Sequence, residues 1–254
     1  DAVDSLLCVG LDPAFARLPA RFRSAAHPQF EFNKSVIEAT HPHAACYKLN
    51  MAFYEARGAQ GFEDLKLTTG YLRAEHPDIL LLCDAKRGDI LNTNAQNAGV
   101  PFDVFGFDGV TVNPYMGGRA LAPFLERRDK AVIVLCRTID PGGDEFQTLR
   151  VDGKPLWQIV AEKTCREWNA RGNCMLVVGP ASREEMAAAR ALAGDITFLV
   201  PGVGAQGGDL EIAVKAGLNS RRKGLIIVSA RGIIFADDPG RAAAELRGRI
   251  NRLR

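Results

Sequence analysis

Eight short apolar runs, at residues 6–11, 45–50, 79–85, 109–113, 131–136, 174–179, 197–202 and 224–229, recur along this chain with helical or loop segments between them. A run of this length bounded by turn signals reads as a strand buried on both faces, which a parallel sheet under helical cover requires. Eight of them in βα alternation predict an α/β protein, a single closed (β/α)8 TIM barrel over residues 1–254, in preference to an open sheet.

The intervening segments carry helix signals of their own. Ser182 with Glu185 makes a capping box ahead of Met186-Ala187-Ala188-Ala189, and Asp238-Pro239 starts a last helix whose Ala243, Leu246, Ile250 and Leu253 share a face. Leu156, Ile159, Val160 and Lys163 mark another. In residues 91–107, Gly99 and Pro101 interrupt what should be the third helix, so a kink or a break is expected there.

In such a barrel the active site lies at the C-terminal ends of the strands. Those ends are polar here: Asp12-Pro13, Lys48-Leu49-Asn50, Asp84 and Lys86, Asn113-Pro114, Arg137-Thr138, Pro201-Gly202 and Ser229-Ala230-Arg231. Any one of them could be a capping group, but five or more converging on one rim argue for a site. The third run is the most informative, because Ile79-Leu80-Leu81-Leu82-Cys83 gives way abruptly to Asp84, Lys86, Arg87 and Asp89. Alternation along a strand sends Asp84 and Lys86 off one face, an anion beside a cation. A charge pair closing a buried strand needs compensation that a surface pair does not. Asp89 falls in the following turn, where strand alternation no longer fixes its direction.

Two connections stand out. Residues 138–155 include Ile139-Asp140-Pro141-Gly142-Gly143-Asp144-Glu145-Phe146-Gln147, too long and glycine-rich for a plain βα turn. Loops longer than about 12 to 15 residues are commonly functional lids. After the seventh run, residues 201–209 offer backbone N–H groups and the Gln206 amide. A G-x-G string is weak evidence alone. Its place strengthens it, since the loops after barrel strands seven and eight often hold a phosphate, and Arg231 adds a permanent charge with bidentate geometry.

Composition narrows the function classes. The net charge of +2 arises from nearly balanced signs, so neither nucleic acid nor a membrane surface is indicated as a partner. The basic clusters Arg221-Arg222-Lys223 and residues 247–254 read as solvated faces. No apolar stretch approaches about 20 residues, the length of a membrane span. The chain starts at Asp1, close to its first strand, and looks trimmed, which leaves a removed targeting segment open. The six cysteines lack paired metal spacing; Cys8, Cys46, Cys83, Cys136 and Cys174 lie in apolar runs and read as small buried hydrophobes in a reducing compartment, the cytoplasm. His41-Pro42-His43 sits in a loop with no carboxylate or cysteine set and is not read as a metal pair.

Together the residues describe a pocket for a small phosphorylated ligand, with a phosphate grip on one side and the charges Lys48, Asp84, Lys86 and Asp89 on the other. The pattern closely resembles the orotidine 5'-phosphate decarboxylase family, in its longer bacterial subgroup, over nearly the whole chain. The most specific match is Asp84-Ala85-Lys86-Arg87-Gly88-Asp89-Ile90 with Thr93. Supporting matches are Cys8-Val9-Gly10-Leu11-Asp12-Pro13, Lys48-Leu49-Asn50, Val110-Thr111-Val112-Asn113-Pro114-Tyr115, the glycine-rich stretch with Gln206, and Ser229-Ala230-Arg231-Gly232-Ile233.

The resemblance implies decarboxylation of orotidine 5'-phosphate to uridine 5'-phosphate with no metal or organic cofactor. By it, Lys86 protonates C6 of the pyrimidine and Asp84 sits against the departing carboxylate. Lys48 and Asp12 contact the ribose hydroxyls, with Asn50 beside Lys48. Gln206 and Arg231 bind the 5'-phosphate, and Pro201 lines the base pocket. It also implies a homodimer in which Asp89, Ile90 and Thr93 reach into the neighbouring subunit's site. Two positions depart from the family pattern. Ile139 stands where a serine is expected, leaving Thr138 as the substitute for a pyrimidine hydrogen bond, and Ala230 replaces a serine before the arginine. Two other readings compete. A metal-dependent sugar-phosphate decarboxylase or aldolase of the same superfamily would place an acidic metal ligand where Lys48 stands, and a non-catalytic phosphate-binding barrel would have no need of both lysines and both aspartates.

Overall fold

The computed structural model describes residues 3–203 and 209–254. Eight strands close into a parallel barrel, each paired with its neighbours in chain order: β1 (Leu7–Gly10), β2 (Cys46–Asn50), β3 (Leu80–Arg87), β4 (Gly109–Val112), β5 (Ala131–Arg137), β6 (Cys174–Val178), β7 (Phe198–Val200) and β8 (Leu225–Ser229). The ring is closed by β1 against β8, with Leu7 opposite Ile227 and Val9 opposite Ser229. All eight apolar runs of the sequence become barrel strands. Eight main helices follow them: α1 (Pro28–Thr40), α2 (Gly58–Glu75), α3 (Leu91–Gly99), α4 (Gly117–Leu125), α5 (Leu156–Lys163), α6 (Arg183–Ala193), α7 (Leu210–Gly217) and α8 (Pro239–Leu253). No described helix is long and apolar enough to cross a membrane.

Alternation along the strands divides the core in two. Cys8, Cys46, Leu82, Ile133, Val177, Leu199 and Val228 fill the inside of the barrel, one from each strand except β4. The outward residues, among them Val9, Leu81, Val110, Val112 and Val200, meet the helices in the larger cluster. Because Val110 and Val112 face outward, β4 turns only Gly109 and Thr111 inward. A methyl group at Gly109 would lie 3.0 Å from both Ala131 Cβ and Leu82 Cδ2, so the crowded interior demands glycine there. Five of the six cysteines are buried and all six are free, as small hydrophobes would be.

The helix signals hold with two modifications. Ser182 Oγ caps α6 by accepting from the Glu185 N–H at 3.1 Å, but the Glu185 carboxylate binds Arg137 instead of returning to the cap. Only half of the capping box forms. The third helix bends without breaking: α3 passes at Gly99 into a wider π-type turn over Val100–Val104, closed by Phe105 N–H to Val100 O at 3.3 Å. Pro101 has no N–H to offer the preceding turn, and the wider turn absorbs that loss while seating Phe102 and Phe105 in the core.

Regular alternation fails at two strand ends. Between the pairs Cys83–Val110 and Arg87–Val112, β3 carries three residues where β4 carries one, and Lys86 takes φ +47°. A second shift, between Leu135 and Arg137 of β5, turns Arg137 away from the barrel axis. The connection 138–155 has structure of its own: a 3-10 turn at Pro141–Gly143, one helical turn at Asp144–Gln147, and a hairpin pairing Arg150–Val151 with Lys154–Pro155.

Candidate active site

The C-terminal rim opens into a cavity of about 660 Å³. Its apolar wall comes from Leu135, Val177, Leu199, Val228, Ile139 and Pro201, and its opposite wall is charged. Asp12, Lys48, Asn50, Asp84 and Lys86 all reach it, as do Thr138, Pro201 and Arg231. These residues are scattered over 220 positions of sequence from Asp12 to Arg231 and meet only because strand ends converge.

The charged wall is a chain of alternating signs. Lys48 Nζ lies 3.4 Å from Asp12 Oδ1 and 3.0 Å from Asp84 Oδ2, while Lys86 Nζ lies 2.6 Å from Asp84 Oδ1. Asn50 donates its backbone N–H to Asp12 Oδ1 at 3.2 Å and its side-chain amide to Asp84 Oδ2 at 3.4 Å. Thr111 Oγ1 donates to Asp84 Oδ1 at 3.0 Å. Burial alone would pull the Lys48 pKa down, but the carboxylates of Asp12 and Asp84 outweigh it and hold the ammonium above its ordinary value. Burial likewise works to raise Asp84, and Lys48 and Lys86 reverse it, leaving this carboxyl well below the usual range. Both groups are therefore charged at neutral pH. The Lys86 side chain, 49% exposed against 6% for Lys48, is the cation that faces the cavity space.

Lys48 lies between two carboxylates, Asp12 and Asp84, and supplies the positive charge between them.

The remaining predicted residues fall into three groups. Asp89, Ile90 and Thr93 do not line their own chain's cavity; Asp89 and Ile90 are exposed at the rim, where Asp89 Oδ1 accepts the Ile90 N–H at 2.6 Å. Gln206 lies outside the described residues. Asn113 and Arg137, expected to converge on the rim, do not. Asn113 caps a short turn by accepting from the Tyr115 N–H at 3.1 Å. Arg137, turned out by the β5 shift, binds Glu185 at 2.8 Å and Asp144 at 2.8 Å, tying the 138–155 connection to the start of α6. Thr138 keeps its place on the cavity, where its hydroxyl accepts from Gln147 Nε2 at 3.0 Å and donates to Gln147 Oε1 at 3.4 Å, a long bond that a ligand acceptor would have to displace.

Sequence reasoning overlooked Thr111 as a site residue and also Arg17, a second guanidinium on the cavity, packed 4.3 Å over the Phe235 ring. The signal for Arg17 was available, since it follows Asp12 in the connection after β1. Also missed was a buried network behind the rim. Tyr54 Oη donates to Leu11 O at 3.0 Å, and Gln29 Nε2 donates to Pro13 O at 3.1 Å and Phe53 O at 2.9 Å, gripping the chain on both sides of Asp12. Gln29 in turn donates its backbone N–H to the fully buried Asp64, beside His27 at 3.3 Å and Arg57 at 3.8 Å.

A cavity with fixed charges on one wall, hydrocarbon on the other and guanidinium groups at its mouth belongs to a barrel enzyme that handles a small anionic, partly apolar substrate. The family described as orotidine 5'-phosphate decarboxylase / HUMPS matches residues 5–246, and the chain belongs to that family. An orotidine 5'-phosphate decarboxylase of Cellvibrio japonicus is 44% identical over 98% of this chain and 93% of its own length. Among solved structures, the Leishmania donovani OMP decarboxylase superposes with a TM-score of 0.89 at 40% identity, covering 99% of this chain and 94% of its own. The UMP synthase of the same organism superposes with a TM-score of 0.91 at 42% identity, covering 99% of this chain and 54% of that longer one.

Proposed function

We propose that the chain carries out its family's reaction, the decarboxylation of orotidine 5'-phosphate to uridine 5'-phosphate in pyrimidine biosynthesis, with Lys86 stabilising and then protonating the carbanion left at C6. The observation that carries this reading is the Lys86–Asp84 pair, 2.6 Å apart at the cavity's charged wall. Loss of carbon dioxide leaves an electron pair in the plane of the ring, with no conjugated sink. An ammonium ion fixed in that plane lowers the energy of the developing charge and then delivers a proton to it. Asp84, held anionic, faces the substrate carboxylate before it leaves. Two like charges about 4 Å apart at an effective dielectric of about 20 repel by about 4 kcal/mol, at most about three decades of rate when that repulsion is relieved. Repulsion weakens binding too, so transition-state stabilisation by Lys86 takes the larger share.

Lys48 and Asp12 hold the ribose hydroxyls, with Asn50 fixing both carboxylates. Arg231 and Gln206 grip the 5'-phosphate, Pro201 and its apolar neighbours cover the base, and Thr138 supplies the pyrimidine hydrogen bond that Ile139 lacks the hydroxyl to make. The working unit is a homodimer of barrels in the reducing cytoplasm, in which Asp89, Ile90 and Thr93 complete the partner's site. The exposed apolar side chains of Ile90, Leu91, Tyr115 and Met116 at the same rim, Tyr115 at 85%, support that interface. Lys48 at the end of β2 favours this chemistry over a metal-dependent aldol or decarboxylation reaction. The deciding experiment is carbon dioxide release from orotidine 5'-phosphate in excess chelator: full turnover is expected, and turnover abolished by the chelator and restored by a divalent metal would reject the reading.

A further inference from the structure

A closed ring of hydrogen bonds joins both reactive side chains of β3 to a single residue of the strand beside it. We propose that Thr111 is a positioning residue for the decarboxylation: its hydroxyl fixes the Lys86 backbone and aims Asp84 Oδ1 at the Lys86 ammonium. The inference rests on the roles given above to Lys86 and Asp84.

The surplus of residues in β3 creates the need. Thr111 alone faces Asp84, Ala85 and Lys86 between the two ladder pairs, so backbone groups of that stretch have no strand partner in β4. The N–H of Lys86 is one of them, and it donates to Thr111 Oγ1 at 2.9 Å. A hydroxyl has one hydrogen and two lone pairs. With the amide able only to donate and the Asp84 carboxylate only to accept, the direction of both bonds is forced, and the Thr111 hydrogen points to Asp84 Oδ1 at 3.0 Å. That same oxygen accepts from Lys86 Nζ at 2.6 Å, which closes the ring through the lysine's own side chain.

The surroundings leave this task to Thr111. Asp84 Oδ2 is held from β2 by Lys48 and Asn50, and the Asp84 carbonyl accepts the Met51 N–H at 3.2 Å. Among the described residues, Oδ1 has only Lys86 and Thr111. Lys86 takes a left-handed backbone conformation that side-chain-bearing residues rarely adopt, so something outside it must hold it there. Thr111 is 1% exposed on a barrel strand, and its β-branched side chain has few rotamers to choose from. It is therefore a rigid support for a long, mobile lysine.

The test compares Thr111→Ser, Thr111→Ala and Thr111→Val by steady-state turnover of orotidine 5'-phosphate, by affinity for uridine 5'-phosphate, and by thermal melting. Ser and Ala both lose the methyl group and differ in the hydroxyl alone, while Val restores the volume. Losing a hydrogen bond to a charged group predicts that Ala and Val lower kcat by about 10- to 100-fold, with product affinity within about threefold of the parent, and that Ser restores most of the rate. Ser no better than Ala, Val within about threefold of the parent kcat, or kcat and product affinity falling by one factor would each overturn the inference. Lys86→Ala in the same assay separates the two levels. If it still turns over, the assigned chemistry is wrong; if it is dead while the Thr111 variants run at the parent rate, only the role of Thr111 fails.

Discussion

Asp84 and Asp64 are both carboxylates withdrawn from water beside two basic side chains, yet the protein treats their charge in opposite ways. Around Asp84 the two ammonium nitrogens stand at 2.6 and 3.0 Å, and the carboxyl is held far below its ordinary pKa. Around Asp64 the nearest nitrogens of His27 and Arg57 stand at 3.3 and 3.8 Å, and burial outweighs them, so the carboxyl is pushed up despite the help of the Gln29 N–H. Coulombic attraction must exceed the cost of losing water before a buried ion is content to be one, and short contacts to two full cations achieve that where looser ones do not. The Asp84 cluster keeps its charge at the wall of the cavity. The Asp64 cluster spends its polar groups on the chain, holding the turn that carries Asp12.

If that division is right, damage to the two clusters should appear in different measurements. The largest effect is expected for Lys86→Ala, which removes the group proposed above as both stabilising cation and proton donor: a loss of at least about 10⁴-fold in turnover. Its melting temperature should stay within a few degrees of the parent, because a half-exposed lysine contributes little to stability. Activity within a hundredfold of the parent would erase the contrast. Next comes Asp64→Ala, which leaves His27 and Arg57 facing a buried vacancy and should cost about 3 kcal/mol in denaturant unfolding. The folded fraction should keep its kcat within about threefold, and a large drop in kcat at unchanged stability would show that this cluster is part of the chemistry.

The smallest effects, and the sharpest in sign, concern pH. As pH falls, the unfolded chain protonates position 84 before the folded one does. The stability Asp84 supplies is thus complete above about pH 4 and drains away toward its depressed pKa. For Asp64 the folded chain protonates first. Its contribution is complete below about pH 4 and drains away as pH rises through its raised pKa. The difference in melting temperature between parent and Asp84→Asn should therefore grow with rising pH in the acid range, while that between parent and Asp64→Asn should shrink. Parallel trends would refute the comparison.

The two clusters also differ in how legible they were. Apolar runs announced every barrel strand, and the polar residues ending them announced most of the rim, because burial on two faces and convergence at one end both leave marks in local composition. Asp12, Lys48, Asn50, Asp84, Lys86 and Arg231 were readable in that way. The Asp64 network was not: its bonds join residues tens of positions apart, with Gln29 reaching Asp64 and Tyr54 reaching Leu11, and nothing local tells a buried polar helix face from a solvated one. Arg137 misled for another reason. Strict alternation points it inward with Leu135, but the shift in β5 reverses it toward Glu185, which lies 48 positions away. The same assumption placed Asp84 and Lys86 on one face for the wrong reason, since a surplus stretch of strand and a left-handed lysine bring them together.

That surplus has a practical consequence for anyone who would move this chemistry to another scaffold. The letters Asp-x-Lys are not portable by themselves, because a strand of ordinary length would set the two side chains on one face without the left-handed lysine backbone or the threonine bond that fixes it here. What must travel with them is slack: extra chain on one side of a seam, and on the other side a hydroxyl waiting to take it up.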